Sequence, residues 1–215
     1  MTSKKETYFW LLVLLYILND FLFMSSDDYI VWLLIDYSVR IITLLALFML
    51  YKDYILTKKS FFLGSYSYKR ALVIGTGLAL FGVIVFRLIE VNLTMINIYD
   101  GTSFPEIKNR ILYWIDMSAG LVLVSFSEEL VFHAYFYTVY KDKLSNFSLI
   151  LFSAIIFSAI HWSNDLSNIL GVFIWGIVSM QVFIRSQSAW PLIVGHILVN
   201  LILFLEILPD RWFVI

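Results

Sequence analysis

Residues 111–140 read ILYWIDMSAGLVLVSFSEELVFHAYFYTVY and form the longest apolar run in the chain. A bilayer core about 30 Å thick is crossed by roughly 20 mostly apolar residues when they form a helix. The run does not alternate between apolar and polar residues, as the strands of a transmembrane barrel do. A helix also satisfies its own backbone polar groups in lipid, where no water is available. The stretch therefore predicts a membrane-spanning helix that carries a few polar groups.

The composition of the whole chain agrees with a membrane protein. Of the 215 residues, 61% are hydrophobic and 14% are charged, whereas ordinary soluble proteins have about 45–50% apolar and about 25% charged residues. The net charge of -1 offers no basic face, so we expect no nucleic-acid partner. Cysteine is absent from the sequence, which excludes disulfides, thiolate metal sites and a cysteine nucleophile.

Hydropathy predicts an all-α, polytopic transmembrane bundle of about seven spans. The spans are Tyr8–Met24, Ile30–Tyr51, Ala71–Ile89, Ile111–Tyr140, Phe147–Trp162, Ile169–Ile184 and Trp190–Leu208. No linker separates a second domain, so residues 1–215 are expected to form one integral membrane domain. Three glycines in the third span favour close helix packing over phosphate binding; they are Gly75, Gly77 and Gly82.

Lysine and arginine residues collect in alternate connections between the predicted spans. On one side they are Lys4, Lys5, Lys52, Lys58, Lys59, Lys69, Arg70, Lys141, Lys143 and Arg185. The other connections carry Asp27, Asp28, Asp100, Glu106, Lys108, Arg110 and Asp165. Because positively charged loops tend to stay in the cytoplasm, the N-terminus is predicted to be cytoplasmic and the C-terminus to lie outside.

Ionisable residues inside membrane spans are costly and point to function. The set of polar candidates includes all 3 histidines of the chain and consists of Glu128, Glu129, His133, His161, His196 and Asn200. At about 1.5 Å of rise per residue, they are expected at matched depths between mid-membrane and the cytoplasmic half. Residues four apart share a helix face, which pairs Glu129 with His133 and His196 with Asn200.

Such a cluster suits peptide hydrolysis without a protein nucleophile. A buried carboxylate takes a proton from water, a nearby histidine orients that water, and donors on another helix stabilise the oxyanion. The residues alone also allow hydrogen bonding between helices, a zinc site or a haem between two histidines. Asp36 and Arg40, four apart in the second span, are interpreted as a structural ion pair.

Three motifs resemble those of the CPBP intramembrane proteases, a family of type II CAAX prenyl endopeptidases and bacteriocin-processing or self-immunity proteins. The E-E-x-x-x-R, F-x-x-x-H and H-x-x-x-N/D motifs match Glu128-Glu129-Leu130-Val131-Phe132-His133, Phe157-Ser158-Ala159-Ile160-His161 and His196-Ile197-Leu198-Val199-Asn200. They follow one another in the family's order within Val122–Leu203. His133 departs from the pattern, because arginine stays charged and offers a fork of donors whereas histidine can be neutral.

The resemblance implies an intramembrane endopeptidase whose protease-like core lies at residues 111–208. In this family the enzyme has been described both as glutamate-dependent and as a metalloprotease, so zinc remains open. The implied catalytic residues are Glu128, His161, His196 and Asn200, with Glu129 and His133 in support, and a zinc ion would use Glu128, His161 and His196.

The expected reaction is hydrolysis of a peptide bond near the cytoplasmic side of the membrane. The expected partners are the lipid bilayer and a peptide or protein substrate, either prenylated or a peptide precursor. The expected location is a multi-pass position in a bacterial cell membrane. Two other functions stay open: a non-proteolytic immunity or binding protein, suggested by His133, and a small proton-coupled transporter.

Overall fold

A computed structural model describes residues 4–23, 28–57, 66–93, 107–163, 165–207 and 213. Within these ranges every regular element is helical, which confirms the predicted all-α class. The predicted loop charges that lie outside the described residues are Asp27, Lys58, Lys59, Asp100 and Glu106.

Seven helices follow one another along the described chain. They are α1 (Lys4–Phe23), α2 (Tyr29–Thr57), α3 (Tyr68–Leu93), α4 (110–140), α5 (Asn146–Ala159), α6 (Leu166–Ser186) and α7 (Trp190–Phe204). Each predicted span corresponds to one of these helices, with ends that differ by a few residues. α4 is continuous but contains two π-helical stretches, Asp116–Gly120 and Glu129–Tyr135.

Three of the helices contain stretches that are long and apolar enough to cross a bilayer. These stretches are Tyr29–Leu50, Tyr68–Leu93 and Leu166–Ser186, whereas α5 and α7 are apolar but shorter. The apolar helices support an integral membrane protein. Seven crossings and a cytoplasmic N-terminus stay predictions.

Consecutive helices run in opposite directions, so their ends gather at two opposite ends of the bundle. At one end, Nζ of Lys143 lies 2.6 Å from Oε1 of Glu6, beside the start of α1. At the other end, the hydroxyl of Ser163 donates to Asp20 at 2.6 Å, near the last residues of α1. We call the first the basic end, because the start of α1 and the turn at residues 141–145 carry lysines there.

Glycines allow α3 and α7 to pack closely. A Cβ atom on Gly75 would lie 2.8 Å from the side chain of Val194 and 2.9 Å from the carbonyl oxygen of Pro191. A Cβ atom on Gly82 would lie 2.8 Å from the ring of Trp175 on α6. The prediction of close helix approach is confirmed at these two glycines. It is wrong at Gly77, where a Cβ atom would meet no other part of the described chain within 4 Å beyond the neighbouring backbone of α3.

Aromatic contacts hold α1 against the second half of α4. The rings of Phe9 and Phe136 lie 5.4 Å apart, and those of Tyr16 and Phe132 lie 5.0 Å apart. All four side chains are buried, and each edge-to-face pair adds about 0.5–1.5 kcal/mol beyond its buried area. This packing fixes the part of α4 that carries the two adjacent glutamates.

Candidate active site

The two adjacent glutamates of α4 lie where its helical winding changes. Glu128 ends the α-helical stretch Leu121–Glu128, and Glu129 begins the π-helical stretch Glu129–Tyr135. Such π turns inside α-helices are frequent at functional sites. Both side chains are buried, yet Glu128 lines a cavity of about 510 Å³ and Glu129 is not part of that lining.

The carboxylate of Glu128 has two oxygens in different surroundings. Oε1 lies 2.8 Å from Nη1 of Arg40. Oε2 lies 3.9 Å from Nε2 of His161 and 3.9 Å from Nε2 of His196. In the described part of the chain, Oε2 has no hydrogen-bond partner. One oxygen is therefore held by a guanidinium, and the other faces two histidines across the cavity.

The two histidines are oriented by different groups. Nδ1 of His161 lies 2.9 Å from the carbonyl oxygen of Phe157, and because a carbonyl only accepts, this nitrogen carries the proton. Nδ1 of His196 lies 2.8 Å from Oε1 of Glu129, a carboxylate that stabilises a protonated ring. When the His161 ring is neutral, its Nε2 is therefore an acceptor, whereas Nε2 of His196 becomes a donor when that ring is protonated.

Glu129 forms a buried cluster beneath the cavity. Its Oε2 lies 2.8 Å from Nδ1 of His133, and its Oε1 also accepts from the indole N–H of Trp175 at 3.3 Å. The exposure of Glu129 and His133 is 0%. The expected pairing of these two residues along α4 is therefore present, and Glu129 joins it to His196.

His161 lies in a turn, not inside the fifth helix as predicted. α5 ends at Ala159, and the backbone N–H of His161 donates to the carbonyl oxygen of Ser158 at 3.1 Å. Its side chain takes the Phe157 carbonyl, the acceptor that its own N–H would use if the α-helix continued. The apolar residues continue through Trp162, so the sequence gives no sign that the helix ends before His161.

The four predicted catalytic residues border one cavity. Asn200 lies one turn after His196 on α7, and both line the cavity together with Glu128 and His161. Residues 110–202 match the family model of the type II CAAX prenyl endopeptidase Rce1-like proteins. The match confirms the predicted resemblance to this family over these residues. No curated protein and no solved structure matches the chain.

The Rce1-like match contains all three motifs and begins where α4 begins. At the family level it supports a CAAX-type intramembrane protease, which together with the apolar helices indicates an integral membrane protein. Helices α1, α2 and α3 lie outside the matched residues. They nevertheless supply one wall of the cavity.

Arg40 is the site residue that the sequence analysis missed. Its predicted ion pair with Asp36 is present, with Nη2 of Arg40 3.0 Å from Oδ1 of Asp36. The same guanidinium also reaches Glu128 in the Rce1-like region, so an ion pair within α2 is only part of its environment. An arginine inside a predicted span is a sign of function that the sequence does offer. The sequence does not show that α2 packs against α4.

Polar contacts extend from Arg40 towards the turn that carries His161. The amide of Asn19 donates to Asp36 at 3.2 Å. The next residue, Asp20, accepts from Ser163 at 2.6 Å, two residues after His161. The first two helices are thereby connected to both sides of the Rce1-like site.

A zinc ion does not fit this arrangement as it stands. No group of three or more His, Asp or Glu side chains in the described ranges is placed to hold a metal ion. Arg40 also places a positive charge 2.8 Å from Glu128, and this charge would repel a zinc ion bound to the same carboxylate in a low dielectric. Zinc at Glu128, His161 and His196 stays a prediction.

Proposed function

We propose that this chain is an intramembrane endopeptidase in which Glu128 activates the attacking water. The observation that carries the proposal is the carboxylate oxygen Oε2, which faces Nε2 of both His161 and His196 at 3.9 Å. Two hydrogen bonds of about 2.8 Å that meet near a right angle span about 4 Å. A water molecule beside Oε2 can therefore bond to the carboxylate and to a histidine together.

Glu128 and His161 act first. The Glu128 carboxylate accepts one proton of the water, while the neutral Nε2 of His161 accepts a hydrogen bond from the other. The water oxygen forms a bond to the carbonyl carbon of the substrate, and the electron pair of the C=O π bond moves to the carbonyl oxygen. The product of this step is a tetrahedral oxyanion.

His196 and Asn200 stabilise the oxyanion. The protonated ring of His196, stabilised by Glu129, donates from Nε2, and the Asn200 amide donates from the same helix face. Collapse of the intermediate breaks the C–N bond. The leaving nitrogen takes the proton that Glu128 received, so the carboxylate is restored and the atoms balance.

Arg40 and Asp36 act as positioning residues. Arg40 holds Oε1 of Glu128, which leaves Oε2 for the water. Asp36 balances the charge of the guanidinium through contacts at 3.0 and 3.2 Å. Glu129 and His133 similarly position His196, and in this proposal His133 takes the place of the arginine in the family motif.

The test is cleavage by Glu128→Gln, which keeps the side-chain shape but cannot accept the proton. We expect a loss of about 100- to 10,000-fold, the usual contribution of an acid–base group. Glu90→Gln is the matched control, because Glu90 lines the same cavity but pairs with Arg87. Comparing peptide termini between cells that carry the two variants would identify the substrate. Equal cleavage by both folded variants would rule out the proposed role, and a persisting biological effect without cleavage would favour a binding function.

The metal-free mechanism predicts that chelation leaves the reaction intact. We expect purified protein to contain zinc well below one ion per chain and to keep its cleavage rate in a chelator. Metal analysis of the unmodified protein and of His161→Ala is the measurement. Stoichiometric zinc that is lost in His161→Ala, together with chelator-sensitive cleavage, would instead establish the metalloprotease alternative.

A further inference from the structure

Among the described residues, the cavity lining reaches from Glu128 to one end of the bundle only. On each helix the lining residues run from the level of the catalytic groups towards the same end. That end, which we call the mouth end, includes the last residues of α1, α3 and α7 and the first residues of α2, α4 and α6, represented by Asp20, Glu90, Glu206, Trp32, Asp116 and Ser167. In the described ranges, no lining residue belongs to the first turns of α1, the turn at residues 141–145 or the α6–α7 connection.

The basic end lies opposite the mouth. Most of the lysine and arginine residues in the described ranges lie in the connections at the basic end or within a few residues of them. Lys143 and Glu6 join two of these segments at 2.6 Å. At the mouth end, the only lysine and arginine residues in the described connections are Lys108 and Arg110. Because lysines and arginines near span ends stay in the cytoplasm, this asymmetry assigns the basic end to the cytoplasm.

We propose that the cavity opens on the non-cytoplasmic face of the membrane and receives its substrate from that face. The inference rests on the proposed function, because the cavity is the proposed protease site. It departs from the expectation of cleavage near the cytoplasmic side, which came from the matched depths of the site residues and from the family resemblance. Depth along a helix locates the catalytic groups, but the direction of the opening decides from which side a chain can reach them.

The direction of access selects a class of substrate. A prenylated C-terminus belongs to a protein that is lipidated in the cytoplasm, so it would meet the closed end of the bundle. A peptide precursor that has been exported or inserted across the membrane presents its backbone on the mouth side. Of the substrates left open by the sequence, the exported peptide precursor is therefore the one that we assign.

Thiol labelling in intact cells tests the direction of the cavity, because the natural sequence contains no cysteine. Ser167→Cys places a thiol in the cavity lining at the mouth end. Asp142→Cys places an exposed thiol in the turn at the basic end. With a membrane-impermeant maleimide, we expect Ser167→Cys to react in intact cells and Asp142→Cys to react only after permeabilisation. In intact cells the labelled fraction of the two variants should differ at least about 10-fold. Glu206→Cys gives a second, exposed position at the mouth end.

Labelling of Asp142→Cys in intact cells would overturn the proposal, as would protection of both Ser167→Cys and Glu206→Cys. The label does not depend on catalysis, so the pattern must be the same when Glu128→Gln is added. Reversed labelling with cleavage that still needs Glu128 would refute the access side and leave the proposed function standing. If labelling is as expected but Glu128→Gln leaves cleavage unchanged, the proposed function is refuted and the access side still stands.

Discussion

Arg40 ties the second helix directly to the proposed catalytic carboxylate of the Rce1-like site. Its guanidinium contacts Glu128 through Nη1 and Asp36 through Nε and Nη2. A planar fork of donors makes this possible, and the single ammonium group of lysine cannot reproduce it. One conservative substitution can therefore separate the geometry of the site from its charge.

Arg40→Lys is expected to lower the cleavage rate by up to about 100-fold, the loss that a displacement of about 1 Å can cause. Arg87→Lys is the control, because Arg87 is equally buried in the cavity wall but pairs with Glu90. Steady-state cleavage assays should show the loss in kcat more than in KM for Arg40→Lys. Equal rates for the two variants would mean that Arg40 does not position Glu128.

The packing of α3 against α7 depends on one face of α3, which can be tested by two neighbouring glycines. Gly75→Ala forces a Cβ into 2.9 Å contact with the Pro191 carbonyl oxygen, and overpacking of this kind costs about 1–3 kcal/mol. Gly77→Ala faces open space and should leave the free energy of unfolding unchanged or slightly higher. Thermal unfolding in detergent compares them. If both variants lost the same stability, backbone flexibility and not close packing would explain the glycines.

The helical elements themselves were predictable because their apolar runs are continuous and local. All seven helices lie where hydropathy places them. The exceptions are ends and windings that depend on other groups. α5 ends at Ala159, where the His161 side chain bonds to the Phe157 carbonyl, and the π-helical stretch after Glu128 does not change the pattern of apolar residues.

At the scale of the whole molecule, the cavity needs both halves of the chain. Residues 110–202 carry the family match, whereas Arg40, Asp36 and Asn19 belong to the part before it. We expect residues 105–215 expressed alone to show no cleavage, because Glu128 would lack its guanidinium partner and one wall of the cavity. Coexpression with residues 1–104 should restore cleavage, and coexpression with the same piece carrying Arg40→Lys should restore much less. Full cleavage activity of residues 105–215 alone would contradict a site that is shared by both halves of the chain.

The amino-acid sequence by itself determined the all-α class, the order of the helices, the motif residues and the asymmetry of the loop charges. Each of these is recorded in residues that are close together along the chain. Only the tertiary structure decided that Arg40 meets Glu128, that Glu129 orients His196 and that the cavity lining extends from Glu128 away from the basic end. These features depend on which helix faces meet, and helices that are apolar on nearly every side carry little information about their neighbours.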